Sequence, residues 1–284
     1  MFAGMGESQP FRLALHDAHL AAGAEMTERG GWLMPIHYGD AEAEAAAIAA
    51  CAGVFDSSHL GRIRVAGDGA LDLLERACTA DAAAQEDDTA LLTAICDEAG
   101  TIIDVCFVVR LAKFWVLTTN AAVRPAVLEH LQAIAADVGA KVDDQTFKTS
   151  MITVAGPGAM EMLDPLLPHR PSTLARGDVR AGALLLARYI AMRTGSTGLW
   201  SIQVMLPNML IGQAWKFITK KAGESCLPAI GRDAQDALRR RAGVPCPADF
   251  AGKDPISAGL AELVDFDHDF LGRDALECNR DKHR

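Results

Sequence analysis

Residues 30–38 bring together side chains suited to holding a ligand. They include Trp32, Met34, His37 and Tyr38, in a chain that has only four Trp and two Tyr. Paired glycines give this stretch a loop-like composition, and aromatic side chains on loops are often used for binding. The same side chains could instead fill the core beneath the loop, and the sequence leaves both interpretations open.

The other clusters of reactive residues do not predict a metal or nucleotide site. His16 and His19 lie one helical turn apart, but two imidazoles without a third ligand rarely hold a metal ion. Seven cysteines are scattered without a Cys-x-x-Cys pair, which favours buried, reduced thiols. The chain has neither a phosphate-binding loop nor a complete dinucleotide fingerprint. We therefore expect no metal ion and no nucleotide.

Composition excludes several classes of partner. The net charge of −10 argues against nucleic acid or an anionic membrane as the main partner. No stretch approaches the ~18 consecutive apolar residues of a membrane span. The N-terminus lacks the cationic start and apolar run of a secretory signal, so we expect a cytoplasmic protein.

Any ligand-binding side chains must be positioned by a fold in which helices and strands alternate. Hydrophobic spacing predicts helices over 40–52, 70–78, 122–138, 208–221 and 234–242, and strands over 62–65, 91–96, 102–109, 114–119, 151–155, 184–192 and 202–206. This order predicts an α+β fold with helices on one face of a mainly antiparallel sheet, followed by a rougher second copy. The polar residues 280–284 have nothing apolar to bury, so order should fade there.

Several blocks, taken in order, resemble the aminomethyltransferase family, which comprises the T-protein of the glycine cleavage system and its folate-dependent relatives. The matching blocks are residues 15–20, 23–26, 31–35, 53–59, 97–104, 119–121, 156–157, 195–198 and 266–276. They span nearly the whole chain, so the resemblance is specific for the fold.

The resemblance implies a cloverleaf of domains around a central opening, where tetrahydrofolate accepts a one-carbon unit. Within residues 1–284 we expect two α/β layers of mainly antiparallel sheet, with subregions 1–60 and 150–240 intertwined, an α/β subdomain at 61–149 and a polar tail at 278–284. The C-terminal barrel of full-length relatives is expected to be absent. A partner subunit could then supply it.

The resemblance also implies where the cofactor binds. The expected cofactor-binding residues are Asn120, Gln203, Val105, Leu92, Ser196, Met34 and Arg239. At Val105 the family has the second aspartate of its hairpin, and at Gln203 it has a glutamate that pairs with the pteridine edge. Gln203 keeps a donor and an acceptor but loses the charge. Val105 cannot stabilise an iminium-like cation, and Leu92 and Ser196 stand where the family carries tyrosine.

These departures make ordinary aminomethyl transfer doubtful and direct attention to demethylase-type relatives. Removing a methyl group from oxygen requires an acid that protonates the leaving group. His37, Tyr38 and His59 are candidates for that acid, and Asp104, which remains from the aspartate pair, would help hold the pterin. We expect Tyr38, His59 and Asp104 to be the catalytic residues.

Two hypotheses of different class follow from the sequence. The first is a tetrahydrofolate-dependent one-carbon transferase, of demethylase type or a subunit of one, that uses a small methyl or aminomethyl donor. The second is a non-catalytic subunit that keeps the pocket for binding or assembly. Asn120 and the polar Gln203 favour the first, whereas Leu92, Val105 and Ser196 favour the second.

Overall fold

The structure is a computed structural model that describes residues 9–165, 167, 169–184, 187–195, 197–225 and 227–282. Its strands are β1 (Phe11–Arg12), β2 (Glu25–Arg29), β3 (Trp32–His37), β4 (Gly53–Asp56), β5 (Gly61–Ala66), β6 (Thr89–Cys96), β7 (Ile102–Leu111), β8 (Phe114–Thr119), β9 (Lys141–Asp144), β10 (Thr149–Ala155), β11 (Val179–Leu184), β12 (Ala187–Arg193) and β13 (Ser201–Pro207). Its helices are α1 (His16–Ala21), α2 (Ala41–Ala50), α3 (Ala70–Ala77), α4 (Arg124–Val138), α5 (Ala159–Leu163), α6 (Asn208–Ser225), α7 (Arg232–Arg241), α8 (Pro247–Phe250) and α9 (Arg273–Lys282). Short 3-10 helices lie at Pro171–Thr173 and Ala261–Leu263.

Two five-stranded sheets form the body of the molecule. One has the strand order β11-β12-β13-β10-β4 and the other the order β6-β7-β8-β5-β9, and every pairing in both is antiparallel. The α+β class with mainly antiparallel sheet is therefore confirmed. Residues 61–144 supply all strands of the second sheet, whereas β4 comes from the N-terminal part and joins the first. The exact subregion boundaries stay a prediction.

Helices cover each sheet with apolar side chains. Against the second sheet, α3 and α4 bury Leu73, Leu74 and Leu131. Against the first, α6 contributes Ile211 and Trp215 to a separate core. The second sheet also packs α8 and the 3-10 helix at Ala261–Leu263 through another apolar cluster.

Local signals in the sequence determine where several helices begin and end. Asp40 caps α2 because its Oδ1 accepts hydrogen bonds from the backbone N–H groups of Glu42 and Ala43. Helix α4 has a proline in its first turn and ends at Gly139, whose φ of +74° is the left-handed conformation that glycine adopts without strain.

Arg62 connects the two large sheets from inside the core. It lies on β5 and is fully buried. Its guanidinium donates to the Thr149 Oγ1 (2.8 Å) and carbonyl oxygen (2.8 Å) and to the Ser58 carbonyl oxygen (3.1 Å). Because Thr149 begins β10 of the other sheet, these bonds fix one sheet relative to the other, and they satisfy the buried charge with several acceptors.

The expectation of a loop at residues 30–38 is wrong. After the Gly30–Gly31 turn, residues 32–37 form strand β3, which pairs with β1 on one side and β2 on the other, and only Tyr38 lies beyond it. Trp32, Met34 and Ile36 are buried at every second position, which is the period of a strand, and Pro35 is buried as well. The core-filling alternative holds for these side chains.

Two further predictions need correction. The single strand expected over 184–192 is a hairpin of β11 and β12, in which the Tyr189 ring packs over Gly182 where a Cβ would clash. The C-terminal residues stay helical through Lys282, because Leu276 of α9 is fully buried and Arg280 stacks on the Phe266 ring at 4.3 Å. Residues 283 and 284 lie outside the described residues. No helix in the described part of the chain is both long and apolar enough to cross a membrane.

Candidate functional site

A cleft opens where β7 and β8 of one sheet approach β13 of the other. The cavity has a volume of about 190 Å³, which is below the roughly 300–1,000 Å³ of typical small-molecule sites. A ligand larger than a compact ring system must therefore extend through the mouth. Five of the expected cofactor-binding residues line this cleft: Leu92, Val105, Asn120, Gln203 and Arg239.

Asn120 follows β8 and is held by Asp104 of the neighbouring strand β7. The Asp104 carboxylate accepts from the Asn120 backbone N–H (2.8 Å) and from its Nδ2 (2.5 Å), and also from the Val105 N–H (2.8 Å). Asn120 Nδ2 donates in addition to the Val105 carbonyl oxygen (3.3 Å). With both Nδ2 hydrogens engaged, Oδ1 is left as an acceptor without a partner among the described residues. We call this arrangement the Asn120 clamp.

The clamp places a carboxyl group where water cannot reach it. Burial raises the pKa of Asp104 to about 6, although the hydrogen bonds from Asn120 and Val105 act in the opposite direction. The side chain is 0% exposed and none of its oxygens lines the cleft. The predicted catalytic residue Asp104 therefore positions Asn120, and Asn120 is the residue that lines the cavity.

Gln203 lies on the opposite wall, in the middle of β13. Its neighbours across the sheet are Thr153 of β10 and Met192 of β12. The residue is only 5% exposed, yet its carboxamide makes no hydrogen bond to any described residue. Neither polar atom of the Gln203 side chain is fully enclosed, so the carboxamide reaches the open space of the cleft. It is therefore a group that a ligand in the cleft can satisfy.

One part of the lining is apolar. Leu92 and Val105 pack against the buried Phe250, which comes from α8 and closes the cleft from the C-terminal side. The thiol of Cys106 also lines the cleft, and burial raises its pKa well above the ordinary value. Cys106 therefore stays protonated and acts as an apolar group rather than a nucleophile.

Arginines give the cleft its charge. Arg176, Arg232 and Arg239 line it together with one carboxylate, Asp236. Asp236 is already shared, because its Oδ1 lies 3.1 Å from Arg232 and 3.7 Å from Arg239. Arg176, at the side of Gly195, makes no ion pair with a described residue. The lining thus carries an excess of positive charge, which favours an anionic ligand or ligand tail.

The predicted catalytic residue His59 lies behind the cleft rather than in it. Its Nε2 faces the Arg232 NH1 at 3.4 Å. Burial, together with the charge of Arg232, lowers the pKa of His59 to about 3. The ring is therefore neutral near pH 7 and supports Arg232 as an acceptor, while Arg232 is the residue that faces a ligand.

Tyr38 belongs to a separate buried network that we call the Tyr38 triad. Its hydroxyl lies 2.8 Å from His19 Nδ1, and His19 Nε2 lies 3.0 Å from Asp56 Oδ2. Since a carboxylate can only accept, His19 Nε2 carries the hydrogen of its bond to Asp56. Burial alone would raise the pKa of Asp56, but its hydrogen bonds with His19 and Ser58 bring it below the ordinary value. None of the triad's residues lines the cleft.

The remaining expected site residues fall outside the cavity lining. Met34 packs with Leu13 and Trp32 and against Ala121, next to the clamp rather than in the cleft. His37 faces Glu25 at 3.5 Å. Ser196 lies outside the described residues, although Gly195 beside it lines the cleft.

Sequence reasoning missed Arg176 and Phe250. Both come from segments with no periodic pattern that could connect them to the other lining residues. The Pro245-Cys246-Pro247 run marks a loop and was the one local signal near Phe250. Their place in the site depends on which loops meet at the cleft, and this is a property of the tertiary fold.

The structure is thus an α+β protein with a cleft between two antiparallel sheets that carboxamides and arginines line. Comparison with known proteins agrees with the α+β fold and identifies the family. The model of the GCVT N-terminal domain matches residues 15–268, and the chain belongs to this family.

Similar proteins cover almost all of the chain. An aminomethyltransferase from Moorella thermoacetica is 31% identical over 271 residues, which are 94% of this chain and 74% of that protein. One from Saccharopolyspora erythraea is 31% identical over 280 residues, covering 97% and 76%. The crystal structure of the glycine cleavage system aminomethyltransferase T from Bartonella henselae superposes with a TM-score of 0.87 at 27% identity, covering 96% of this chain and 75% of that one. The resemblance to the aminomethyltransferases is thus confirmed.

Proposed function

We propose that the chain binds tetrahydrofolate in the cleft and transfers a one-carbon unit to it from a small donor. The observation that carries this proposal is a cleft lined by Gln203, whose carboxamide has no partner among the described residues, and by Asn120, whose Oδ1 has none. Relatives named aminomethyltransferase at 31% identity support a transferase of the same general kind. When bound, tetrahydrofolate supplies reduced ring nitrogens that accept the one-carbon unit.

The residues present fit that cofactor. Gln203 can donate to and accept from the polar edge of a pterin, and Asn120 Oδ1 can accept from an N–H group of the ring. The small cavity suits the ring system, while Arg232 and Arg239 lie where an anionic tail can leave the cleft. Ring recognition inside the cleft and charge recognition at its edge match the two ends of the cofactor.

The donor we propose is a methyl compound rather than an aminomethyl compound. An aminomethyl group develops cationic, iminium-like character during transfer, which a nearby carboxylate would stabilise. The described cleft lining has only Asp236, which two arginines already share, and Val105 and Leu92 present an apolar surface instead. A methyl group fits against that surface without needing a charge.

One observation favours the rival proposal of a non-catalytic binding subunit. Neither His59 nor Tyr38 lines the cleft, so neither can protonate a leaving group there directly. A cleft that keeps its recognition groups but not its acid binds tetrahydrofolate without turnover. The two proposals therefore agree on binding and differ on transfer.

Calorimetric titration of the full chain with tetrahydrofolate tests the binding common to both proposals. We expect saturable binding, weakened by about 1–3 kcal/mol in Gln203→Ala. Gln145→Ala is the matched control, since this carboxamide bonds to Asp143 outside the cleft. Absence of heat at high ligand concentration would reject both proposals, and equal affinity of the two variants would reject the placement in the cleft.

Mass spectrometry of the folate product then separates transfer from binding alone. Incubation of the full chain with tetrahydrofolate and a panel of aryl methyl ethers and methylsulfonium compounds should yield methyltetrahydrofolate if the chain is a methyltransferase. Tight binding with no methylated folate from any donor would support the non-catalytic subunit instead.

A further inference from the structure

Helix α7 presents one of its faces to the cleft. Four residues at helical spacing along this face line the cavity: Arg232, Gln235, Asp236 and Arg239. The orientation of α7 therefore determines where its arginines lie relative to an anionic ligand.

The opposite face of α7 packs against helix α2. Ala234 and Leu238 of α7 lie in one buried apolar cluster with Ala45 and Ile48 of α2. Apolar contacts are non-directional, whereas a hydrogen bond fixes both a distance and an angle. Hydrogen bonds at the start of α7 therefore define its position more sharply than this packing alone.

Glu44 of α2 makes those hydrogen bonds. Its Oε2 accepts from the backbone N–H of Gly231 (2.7 Å), the N-cap of α7, and its Oε1 accepts from the backbone N–H of Tyr38 (2.5 Å), just after β3. A Cβ on Gly231 would lie 2.1 Å from the Ile36 carbonyl oxygen, so α7 begins in direct contact with β3. A negative charge at the N-terminus of a helix is also favourable. Glu44 thus joins α2, β3 and α7 at one point.

We propose that Glu44 is a positioning residue for the cleft, because its carboxylate holds the start of α7 against β3 and thereby places Arg232 to meet the anionic part of a ligand. Arg232 directly follows Gly231, so its backbone moves with the amide that Glu44 holds. Glu44 does not line the cleft itself and acts through α7. The inference rests on the proposed function, since it assumes that tetrahydrofolate occupies the cleft.

A second glutamate of α2 provides the matched control. Glu42 pairs with Arg241, the last residue of α7, at 2.8 Å, and both side chains are more than half exposed. An exposed ion pair of this kind contributes little. Glu42 and Glu44 therefore contact opposite ends of the same helix, and only Glu44 bonds to the backbone at the end that adjoins Arg232.

The test is a double-mutant cycle on tetrahydrofolate binding to the full chain, measured by calorimetry. Glu44→Gln keeps the size of the side chain but has one acceptor oxygen, so one of the two backbone N–H groups loses its partner. We expect this variant to weaken binding by at least about fivefold in the parent chain, but by less than about twofold in a chain that carries Arg232→Gln. Glu42→Gln should leave the affinity unchanged in both backgrounds.

The salt dependence of binding is a second readout, which a general loss of stability would not change. Salt screens the attraction between an arginine and an anionic ligand. The affinity of Glu44→Gln should therefore fall less steeply with added NaCl than that of the parent chain, as in Arg232→Gln. Glu44→Asp keeps the charge on a shorter side chain, should show both effects more weakly, and carries the same test if Glu44→Gln does not fold.

Two results would overturn the inference. One is a Glu44→Gln chain that binds tetrahydrofolate as tightly as the parent chain. The other is an equal loss of affinity with and without Arg232→Gln, because Glu44 would then not act through Arg232. Either result with a parent chain that binds tetrahydrofolate refutes this inference alone, whereas a parent chain that does not bind it refutes the proposed function as well.

Discussion

The Tyr38 triad and the Asn120 clamp are both buried hydrogen-bond networks that contain an aspartate. The pKa values of the two aspartates are shifted in opposite directions from that of an ordinary carboxyl group. The pKa of Asp56 is lowered, because His19 and Ser58 outweigh its burial. The pKa of Asp104 is raised to about 6, because burial outweighs its three hydrogen bonds. Ionisation of Asp56 therefore stabilises the folded chain, whereas ionisation of Asp104 destabilises it.

The difference extends to what each network leaves unsatisfied. In the triad every polar atom that links Tyr38, His19 and Asp56 has a partner, and none of these three residues lines the cleft. Beside the clamp, Asn120 Oδ1 and the carboxamide of Gln203 have none among the described residues and line a cleft. Tyr, His and Asp are typical catalytic residue types, yet the plainer amides face the cavity.

Removing the triad's central residue should have the largest effect and should fall on stability. In His19→Ala the buried Asp56 loses its partner, and we expect the free energy of unfolding to drop by about 3–5 kcal/mol in urea denaturation. His16→Ala, on the same helix, is the control and should cost far less. A stable His19→Ala protein that no longer binds tetrahydrofolate would reverse the roles assigned to the two networks.

The pH dependence of stability should distinguish the two aspartates next. Because the folded chain holds the Asp104 proton more tightly than the unfolded chain, Asp104 lowers the free energy of unfolding as pH rises from about 4 to about 6, by up to about 3 kcal/mol. Asp56 acts with the opposite sign, since its contribution is present above the unfolded pKa and is lost as pH falls.

Denaturation of the parent chain and of Asp104→Asn across this pH range measures the Asp104 contribution. The free energy of unfolding of the parent chain minus that of Asp104→Asn should fall with rising pH and level off above about pH 6. A difference that does not change with pH would mean that Asp104 titrates normally and that the clamp carries no cost.

Truncating the clamp should affect binding. Asn120→Ala removes the acceptor on one wall of the cleft, so we expect the tetrahydrofolate affinity to weaken by about 1–3 kcal/mol in calorimetry. Asn208→Ala serves as control, since that carboxamide bonds to Phe147 and Ser150 away from the cleft. An unchanged affinity in Asn120→Ala would remove the clamp from the site.

The smallest effect is expected from the outer residue of the triad. Tyr38→Phe deletes one hydroxyl and its hydrogen bond to His19 but keeps the ring, so stability should fall by about 0.5–1.5 kcal/mol. Binding of tetrahydrofolate and any turnover should stay as in the parent chain, because Tyr38 does not line the cleft. Loss of turnover with unchanged binding would restore Tyr38 as the catalytic acid.

The sequence by itself determined the fold class, the family and most of the elements. Helix α4 could be predicted from a stripe of apolar residues at helical spacing, and the turn before β7 from Asp97-Glu98-Ala99-Gly100, because both depend on interactions between residues close in the chain. The blocks that resemble the aminomethyltransferases also indicated Asn120 and Gln203, and both line the cleft.

Only the tertiary structure decided which polar residues face the cavity. Tyr38 and His59 have residue types suited to acid catalysis. The Tyr38 hydroxyl, however, is hydrogen-bonded to His19 of helix α1, and His59 is buried next to Arg232. Arg176 and Phe250 come from segments that the sequence did not connect with the site. Hydrophobic periodicity reports which side of an element is buried, whereas the cleft depends on where distant segments meet and on which polar groups remain unpaired after they pack.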